Sequence, residues 1–400
     1  MKRLNILVLG AGAYVCGRGS DGYGTVLPTL AECHRDGWID RVVVAATRSA
    51  SVGILQKKLQ ELNSRLGTAL TVSGVPAAGE DASAYQKVLS EREPVDAAVV
   101  VTPDDAHFEQ AQNLFESGVH CLVVKPLTPT VSEATRLVRT AESKGLYGAV
   151  EFHKRWDEAN LFLKAILREQ KIGKLRYVSV EYSQRKIVPS EMFRIWADQT
   201  NVFQYLGVHY ADIIYFVTGA LPVRAMAVGQ KGWLTSRGID TWDSIQAIVE
   251  WKEPGGNRFN SVFALNWIDP NSTSAMSNQK ITVVGTEGRI DSDQKNRGIE
   301  VTTDRDGLIV PNPYFSSIQP GQAGKNYFRG YGYRSVRQFV EDVSAIREGT
   351  LRPKDLEGCR PTFRDALPST AVVEAVNRSL LSAGEWISIP HHQAETAAVA

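Results

Sequence analysis

The stretch that decides the fold is Leu4-Asn5-Ile6-Leu7-Val8-Leu9-Gly10-Ala11-Gly12, an apolar run that ends in paired glycines. An apolar strand that runs directly into glycines is typical of the first strand and turn of a nucleotide-binding βαβ unit. The glycines let the backbone turn sharply and approach a pyrophosphate, and the next helix offers unpaired N–H groups at its positive end. Alone, the pattern also fits an ordinary strand and turn, so the remaining sequence decides its meaning.

The overall composition predicts a globular protein of two domains. The chain has 400 residues, of which 43% are hydrophobic and 22% are charged; this length exceeds what one core usually organises. Lys and Arg number 45 against 44 Asp and Glu, so no basic excess favours nucleic acid or a membrane surface as a partner. The four cysteines are scattered, and no signal-peptide pattern precedes the first strand, so we expect reduced thiols, a cytoplasmic protein and no metal site.

Strand and helix signals alternate through the first 152 residues. The strands, such as Leu4–Leu9, Ala97–Val101 and His120–Val124, are continuous apolar runs, which indicates a parallel sheet buried on both faces. We therefore predict an α/β Rossmann domain, which binds dinucleotides, over residues 1–152.

The pattern changes after residue 152, where strand signals follow one another with few helices between them. This favours an α+β domain with an open, largely antiparallel sheet over residues 153–366, crossed by one helix at residues 201–218. A helix over residues 367–385 is predicted to pack back on the first domain. Residues 386–400 are predicted to form a polar tail that is frayed at its end.

The glycine turn departs from the usual dinucleotide-binding pattern at its third glycine. Val15 stands where that glycine is expected, and a glycine-rich segment continues to Gly24, which we predict to take over its helix-packing role. The residues expected to bind the cofactor in this turn are Gly10, Gly12, Ala13 and Tyr14. A glycine-rich surface loop without a ligand is the alternative interpretation.

The end of the second strand bears on the choice of dinucleotide. NAD-specific sites place an acid there for the ribose 2′-hydroxyl, whereas a guanidinium accommodates a 2′-phosphate. This chain has Thr47, Arg48 and Ser49 and no acid, so we predict that these residues bind NADP in preference to NAD. In the alternative, Arg48 is a solvated loop residue that stacks on the adenine.

Two further strand ends carry candidate cofactor-binding residues, since ligands of open α/β sheets bind at the carboxyl ends of strands. Thr102 and Pro103 follow one strand, with His107 nearby, and Lys125-Pro126 follows the next. A lysine at this edge can polarise a substrate hydroxyl, or lose its proton when desolvated. Taken alone, Lys125 also fits an ordinary surface lysine.

Together these motifs resemble the Gfo/Idh/MocA family, named for glucose–fructose oxidoreductase, inositol dehydrogenase and the rhizopine protein. The glycine turn, the Thr-Pro-Asp segment with His107, Lys125-Pro126 and the segment Leu206–Asp212 occur in family order and spacing. The resemblance implies a Rossmann domain, a C-terminal α+β domain often used for oligomer contacts, and oxidation of a sugar or polyol with NAD or NADP. It further implies that Lys125, Pro126, Gly207 and His209 match family motif positions, so that Lys125 and His209 are catalytic.

Two residues depart from the family pattern. Val124 replaces the glutamate that precedes the lysine, so we expect the carboxylate that tunes Lys125 to be missing. Tyr205 stands where many members have aspartate, and an i,i+4 spacing on one helix would let Tyr205 and His209 reach the same substrate. We predict Tyr205 as a third catalytic and substrate-binding residue; alternatively it belongs to the apolar face of its helix.

The segment His153-Lys154-Arg155 follows the last strand of the first domain. Three potential cations in a row predict contact with an anionic or heavily hydroxylated substrate. A solvated hinge between the domains explains the same residues equally well.

Our hypothesis from the sequence is an NAD(P)-dependent oxidoreductase that acts on a secondary hydroxyl or ketone of a sugar or polyol, as a homodimer or homotetramer assembled through the C-terminal sheet. The alternatives are a glycoside hydrolase or lyase that uses its dinucleotide transiently, and a non-catalytic dinucleotide sensor.

Overall fold

A computed structural model describes residues 3–91 and 94–390. Residues 391–400 of the expected tail lie outside the described residues. The chain forms two compact units, and each is described by itself. Of the described residues, the first unit comprises 3–91, 94–127, 133–156 and 314–365, and the second comprises 128–132, 157–313 and 366–390.

The N-terminal part of the chain alternates strands and helices, as predicted. In order, its elements are β1 (Leu4–Leu9), α1 (Ala13–Cys16), α2 (Val26–Arg35), β2 (Ile39–Ala45), α3 (Ser49–Leu66), β3 (Val72–Val75), α4 (Ala84–Ser90), β4 (Ala97–Val100), α5 (His107–Glu116), β5 (His120–Val124), α6 (Val131–Lys144) and β6 (Gly148–Glu151). The six strands form a parallel sheet in the order β3-β2-β1-β4-β5-β6. The predicted α/β Rossmann architecture is therefore confirmed.

This sheet positions the candidate cofactor residues because its strand order reverses between β1 and β4. The strands β1, β4 and β5 are buried along nearly their whole length, which explains their continuous apolar sequences. Ligands of such sheets bind at the carboxyl ends of the strands beside the reversal. The glycine turn follows β1 and Thr102 follows β4, so both lie at this edge.

The remaining elements are α7 (Glu158–Arg168), β7 (Leu175–Arg185), α8 (Val208–Thr218), β8 (Leu221–Gln230), β9 (Ser244–Lys252), β10 (Arg258–Asp269), β11 (Ser277–Gly285), β12 (Arg289–Asp293), β13 (Val301–Thr303), β14 (Gly307–Ile309), β15 (Ser317–Pro320), β16 (Asn326–Arg329), α9 (Tyr331–Arg347), α10 (Leu367–Leu381) and β17 (Ile387–Ser388). A seven-stranded sheet has the order β12-β11-β7-β10-β9-β8-β17. Its pairs are antiparallel except for β7 with β10. The predicted largely antiparallel second sheet is confirmed.

The C-terminal third of the chain corrects the predicted boundaries. Residues 314–365, with β15, β16 and α9, belong to the first unit, whereas α10 belongs to the second. The helix α10 packs on β8 and α8, which are elements of the second unit; its Ser379 hydroxyl accepts a hydrogen bond from the Ala227 N–H at 2.9 Å. The predicted tail also begins later than expected, because β17 pairs with β8 as an edge strand.

Within the described ranges, no helix combines the length and apolar character needed to cross a membrane. No group of three or more His, Cys, Asp and Glu side chains arranged to hold a metal ion occurs among these residues.

Candidate active site

The glycine turn after β1 has the geometry of a cradle for a pyrophosphate. Gly10 adopts a φ of +104°, and a Cβ atom at this position would lie 2.1 Å from the Val101 carbonyl oxygen, so only glycine fits. A Cβ atom on Gly12 would meet no heavy atom within 4 Å, which leaves open space at the start of α1. The backbone here therefore has the close approach and free volume that a dinucleotide needs.

The extended loop after α1 explains the missing third glycine. The helix α1 has only four residues, and a glycine-rich loop separates it from α2. Gly24 has a φ of +71°, and its Cβ position would lie 2.6 Å from the Val15 carbonyl carbon. Gly24 thus permits a close backbone contact, as a third glycine does in the standard turn, although the partner is α1.

An acid from the loop after β3 lies beside the predicted phosphate-binding residues, which follow β2. Arg48 Nε lies 2.9 Å from Glu80 Oε1, with both side chains more than half exposed, and the two residues form an isolated β-bridge. The Ser49 N–H donates to the Gly79 carbonyl at 3.0 Å. The sequence at the end of β2 does not point to Glu80, because this residue follows β3, a strand that the apolar pattern did not predict.

His107 fixes the segments that follow β4 and β5. Its Nδ1 lies 2.8 Å from the Pro126 carbonyl oxygen and its Nε2 lies 3.0 Å from the Thr102 carbonyl oxygen. A neutral ring donates to one of these carbonyls, and a protonated ring donates to both. Both nitrogens are therefore engaged by the protein, and binding of the cofactor by His107 stays a prediction.

Lys125 is a buried lysine at the end of β5. The residue is 7% exposed, so the alternative of an ordinary surface lysine is wrong. Burial lowers the pKa of the Lys125 ammonium to about 8, while the charges of Asp104 and Glu151 oppose this shift. An amine with such a pKa exchanges its proton near neutral pH, as an acid–base group must. The expectation that no carboxylate tunes Lys125 is also wrong, because Glu151 acts on it from the neighbouring strand.

A cluster of buried polar and aromatic side chains surrounds Glu151. Its Oε2 lies 2.9 Å from His153 Nδ1, and the Tyr14 hydroxyl lies 3.5 Å from the same nitrogen. The imidazole stacks near the ring of Tyr331 at a centroid distance of 5.6 Å and packs against Phe315 at 5.0 Å. Burial, and then the charge of Glu151, raises the pKa of Tyr14 well above its ordinary value. Tyr14, predicted to bind the cofactor, is thus linked to the end of β6.

The predicted substrate-binding segment is not a solvated hinge. His153, Lys154 and Arg155 are all buried, in a short 3₁₀ helix after β6. Burying three potential cations requires compensating partners. Their predicted contact with substrate stays a prediction.

His209 and Tyr205 lie in the second unit. His209 is buried near the start of α8, with its ring centroid 6.4 Å from that of Tyr182. Tyr205 lies in a π-helical turn, Phe203–Gly207, which precedes α8, so the assumption of one continuous α-helix with i,i+4 geometry was wrong. The Tyr205 ring packs among aromatic side chains, with centroid distances of 5.0 to 6.0 Å to Phe193, Trp196 and Trp267. These contacts favour the packing alternative for Tyr205.

Comparison with protein families agrees with this architecture in both units. Residues 34–152 match the model described as "Oxidoreductase family, NAD-binding Rossmann fold", and residues 161–291 match the "GFO/IDH/MocA C-terminal domain". Together the two matches span more than half of the chain. The chain belongs to the Gfo/Idh/MocA family.

Among curated Gfo/Idh/MocA relatives, UDP-N-acetylglucosamine 3-dehydrogenase of Acidithiobacillus ferrooxidans is 34% identical over 135 residues, which cover 34% of this chain and 40% of the relative. An NADP(+)-dependent scyllo-inositol 2-dehydrogenase of Bacillus subtilis is 27% identical over 30% of this chain and 33% of the relative. The chain thus spans two-fifths or less of these relatives. An inositol dehydrogenase homologue of Azotobacter vinelandii, solved with NADH and myo-inositol, has a TM-score of 0.68 at 17% identity and covers 97% of this chain and 98% of its own. This likeness shows the shared fold.

Proposed function

We propose that this protein is an NAD(P)-dependent oxidoreductase that moves a hydride between the nicotinamide and a secondary hydroxyl or ketone of a sugar or polyol. The observation that carries the proposal is Lys125, a buried amine with a pKa of about 8 at the ligand-binding edge of a dinucleotide-binding fold. The relatives named above, which are dehydrogenases of a sugar nucleotide and of inositols, support the same substrate class.

In this mechanism the neutral Lys125 amine accepts the hydroxyl proton of the substrate as the carbonyl forms, and the ammonium returns that proton in the reverse direction. The bound dinucleotide supplies the hydride acceptor or donor. In the proposal the turn at Gly10, Gly12, Ala13 and Tyr14 holds the pyrophosphate, and the residues after β4 and β5 line the nicotinamide end. His209 is the second proposed proton-transfer group, since an imidazole ring can both accept and donate a proton.

We assign NADP as the preferred cofactor, held at its 2′-phosphate by Thr47, Arg48 and Ser49. A guanidinium binds phosphate bidentately, and the two hydroxyls can donate to it. Glu80 competes with that phosphate for Arg48, because its carboxylate already lies 2.9 Å from the guanidinium. We therefore propose that the protein also binds NAD, and that Glu80 reduces the difference between its affinities for NADP and for NAD.

The non-catalytic alternative loses its main argument. It rested on the absence of the family glutamate before Lys125, but the charge of Glu151 acts on this lysine. No comparable observation in the described residues favours the hydrolase or lyase alternative. Net reduction of NADP by a sugar or polyol would exclude both.

We further propose that the protein is a homodimer or homotetramer in the reducing environment of the cytoplasm. One face of the seven-stranded sheet exposes the apolar side chains of Tyr177, Val228 and Val262, which suits burial against another copy. Cys16, Cys33 and Cys121 are buried free thiols, as intracellular proteins commonly have. Light scattering of the purified protein measures its assembly state.

The test of function begins with mass spectrometry of the co-purified dinucleotide and a screen of sugars, polyols and sugar nucleotides read by nicotinamide absorbance. Lys125→Ala is expected to lower kcat by roughly 100-fold or more while the dinucleotide affinity stays within about threefold. Lys125→Arg serves as a control, because it keeps the charge but exchanges protons poorly. A Lys125→Ala variant with unchanged kcat would refute the assignment.

A further inference from the structure

The position of Glu151 relative to Lys125 indicates a role that the sequence motif of the chain does not reveal. Val124 occupies the place where the family carries the glutamate of Glu-Lys-Pro. In the sheet, Val124 pairs in register with Glu151 of the parallel strand β6. Neighbouring strands lie about 4.8 Å apart, so Glu151 brings a carboxylate to the same strand end from across the ladder.

The Glu151 carboxylate is buried, and one of its two oxygens is anchored by a side chain of the protein. Its side chain is 0% exposed, and its Oε2 is anchored 2.9 Å from His153 Nδ1. Within residues 3–91 and 94–390, its other oxygen, Oε1, accepts no hydrogen bond. Burying an ionised oxygen without a donor is costly, so a cation or donor placed by the reaction cycle would stabilise it.

The other titratable groups around this strand end come from the turn after β4, from α5 and from α1. Asp104 lies in the turn after β4 and adds a second negative charge. His107 of α5 contacts the Pro126 carbonyl oxygen and fixes the backbone directly after the lysine. Tyr14 of α1 lies beside His153, and the Glu151 carboxylate acts on its hydroxyl as well. Of the two carboxylates that act on Lys125, those of Asp104 and Glu151, only that of Glu151 lies on a residue paired in the sheet with Val124.

We propose that Glu151 is the positioning residue for Lys125, supplying from β6 the carboxylate that the family motif supplies from β5. The proposal rests on the function assigned to Lys125 above. His153, packed by Tyr14, Phe315 and Tyr331, fixes the Glu151 carboxylate. The carboxylate in turn holds the Lys125 ammonium toward the substrate oxygen during proton transfer.

The experiment compares Glu151→Gln with the wild type by carbon-13 NMR of protein labelled at the lysine Cε. The Lys125 signal is assigned by its loss in Lys125→Arg. Removal of the Glu151 charge lowers the titration midpoint of Lys125 from about 8 by about one unit, because an opposite charge nearby raises the pKa of an amine. The pH dependence of kcat shifts to lower pH by the same amount, and KM for the dinucleotide is unchanged. Asp105→Asn, which removes an exposed carboxylate beside Asp104, leaves the midpoint and kcat unchanged.

A rescue variant separates positioning from packing. Val124→Glu combined with Glu151→Gln restores a carboxylate at the family position and returns both the Lys125 midpoint and kcat toward their wild-type values. An unchanged Lys125 midpoint in Glu151→Gln, or no recovery in the double variant, overturns the proposal. If Glu151→Gln does not fold, the wild-type titration decides: the Glu151 Cδ signal must move at the pH where Lys125 titrates, and separate titrations overturn the proposal. A shifted midpoint without turnover of any sugar or polyol refutes the proposed function but supports the placement of Glu151.

Discussion

The glycine turn allows a sharp test, because its two glycines are needed for different physical reasons. In Gly10→Ala, the new methyl group would lie 2.1 Å from the Val101 carbonyl oxygen at a φ of +104°. That carbonyl cannot retreat freely, since the Val101 N–H is bonded to Leu9 at 2.8 Å. Gly12, in contrast, has a φ of −88° and open space around its Cβ position.

The expected magnitudes follow from this geometry. The backbone conformation costs Gly10→Ala about 1–3 kcal/mol, and the steric overlap adds to it, so we expect a loss of about 3 kcal/mol or more and a fall in Tm of roughly 6–12 °C. Gly12→Ala is expected to change the free energy of unfolding by less than about 1 kcal/mol. It should nevertheless weaken dinucleotide binding roughly tenfold or more, because the methyl group fills the space that a pyrophosphate needs.

Thermal unfolding and fluorescence titration with NADPH and NADH measure the two effects separately. Gly37→Ala is the control for backbone strain, since Gly37 has a φ of +83° but no heavy atom within 4 Å of its Cβ position; it should lose only about 1–2 kcal/mol. Equal stability of Gly10→Ala and Gly37→Ala would refute the steric argument. Wild-type dinucleotide affinity in Gly12→Ala would show that the pyrophosphate lies elsewhere.

Two further predictions concern cofactor choice and acid stability. Glu80→Gln should raise the affinity for NADP relative to NAD by roughly two- to fivefold, because the 2′-phosphate no longer competes with a carboxylate for Arg48. Calorimetric titration measures both affinities, and Glu61→Gln, on the exposed surface of α3, is the control. An affinity ratio that changes no more in Glu80→Gln than in this control would contradict the prediction. Burial lowers the pKa of His120 from 6.5 to about 4, so this residue contributes stability above pH 6.5 that is progressively lost as the pH falls toward 4. In the wild type the Tyr147 N–H donates to His120 Nδ1 at 3.0 Å, and His120→Asn keeps an acceptor for it. The variant should reduce the loss of unfolding free energy between pH 7 and pH 5 by about 2 kcal/mol. Urea denaturation at the two pH values measures this loss, and an equal loss in both proteins would refute the assignment.

The sequence was sufficient to predict the parallel sheet and its ligand-binding edge, because both depend on local patterns. Continuous apolar strands such as His120–Val124 mark burial on both faces, and the glycines after β1 mark the turn. The short strand β3 escaped prediction because Val72–Val75 contains a serine and a glycine and is only partly buried. The packing of α10 escaped prediction because a helix buried along most of its length does not reveal which sheet covers it.

In the candidate site, too, features set by local sequence could be predicted, whereas features set by tertiary contacts could not. Lys125 is recognisable from its motif, but its burial depends on tertiary packing, which the motif does not record. The π-helical turn around Tyr205 could not be read from an apolar spacing that fits an α-helix equally well. The sequence alone did not point to Glu80 and Glu151, the two acids to which we assign roles, since each meets its partner through a strand that is distant along the chain.

The geometry of a parallel sheet explains why the sequence motif did not reveal the carboxylate beside Lys125. The carboxyl ends of parallel strands converge on one edge, where side chains from different strands lie only a strand spacing apart. A charge required beside Lys125 can therefore come from the preceding residue or from the residue paired with it across the ladder, and the electrostatic effect on the amine is similar. Val124 and Glu151 are such a pair. A sequence motif describes residues along one strand and therefore records only the first arrangement. When the glutamate of the motif is replaced, as by Val124, a residue on the neighbouring strand can still supply the carboxylate.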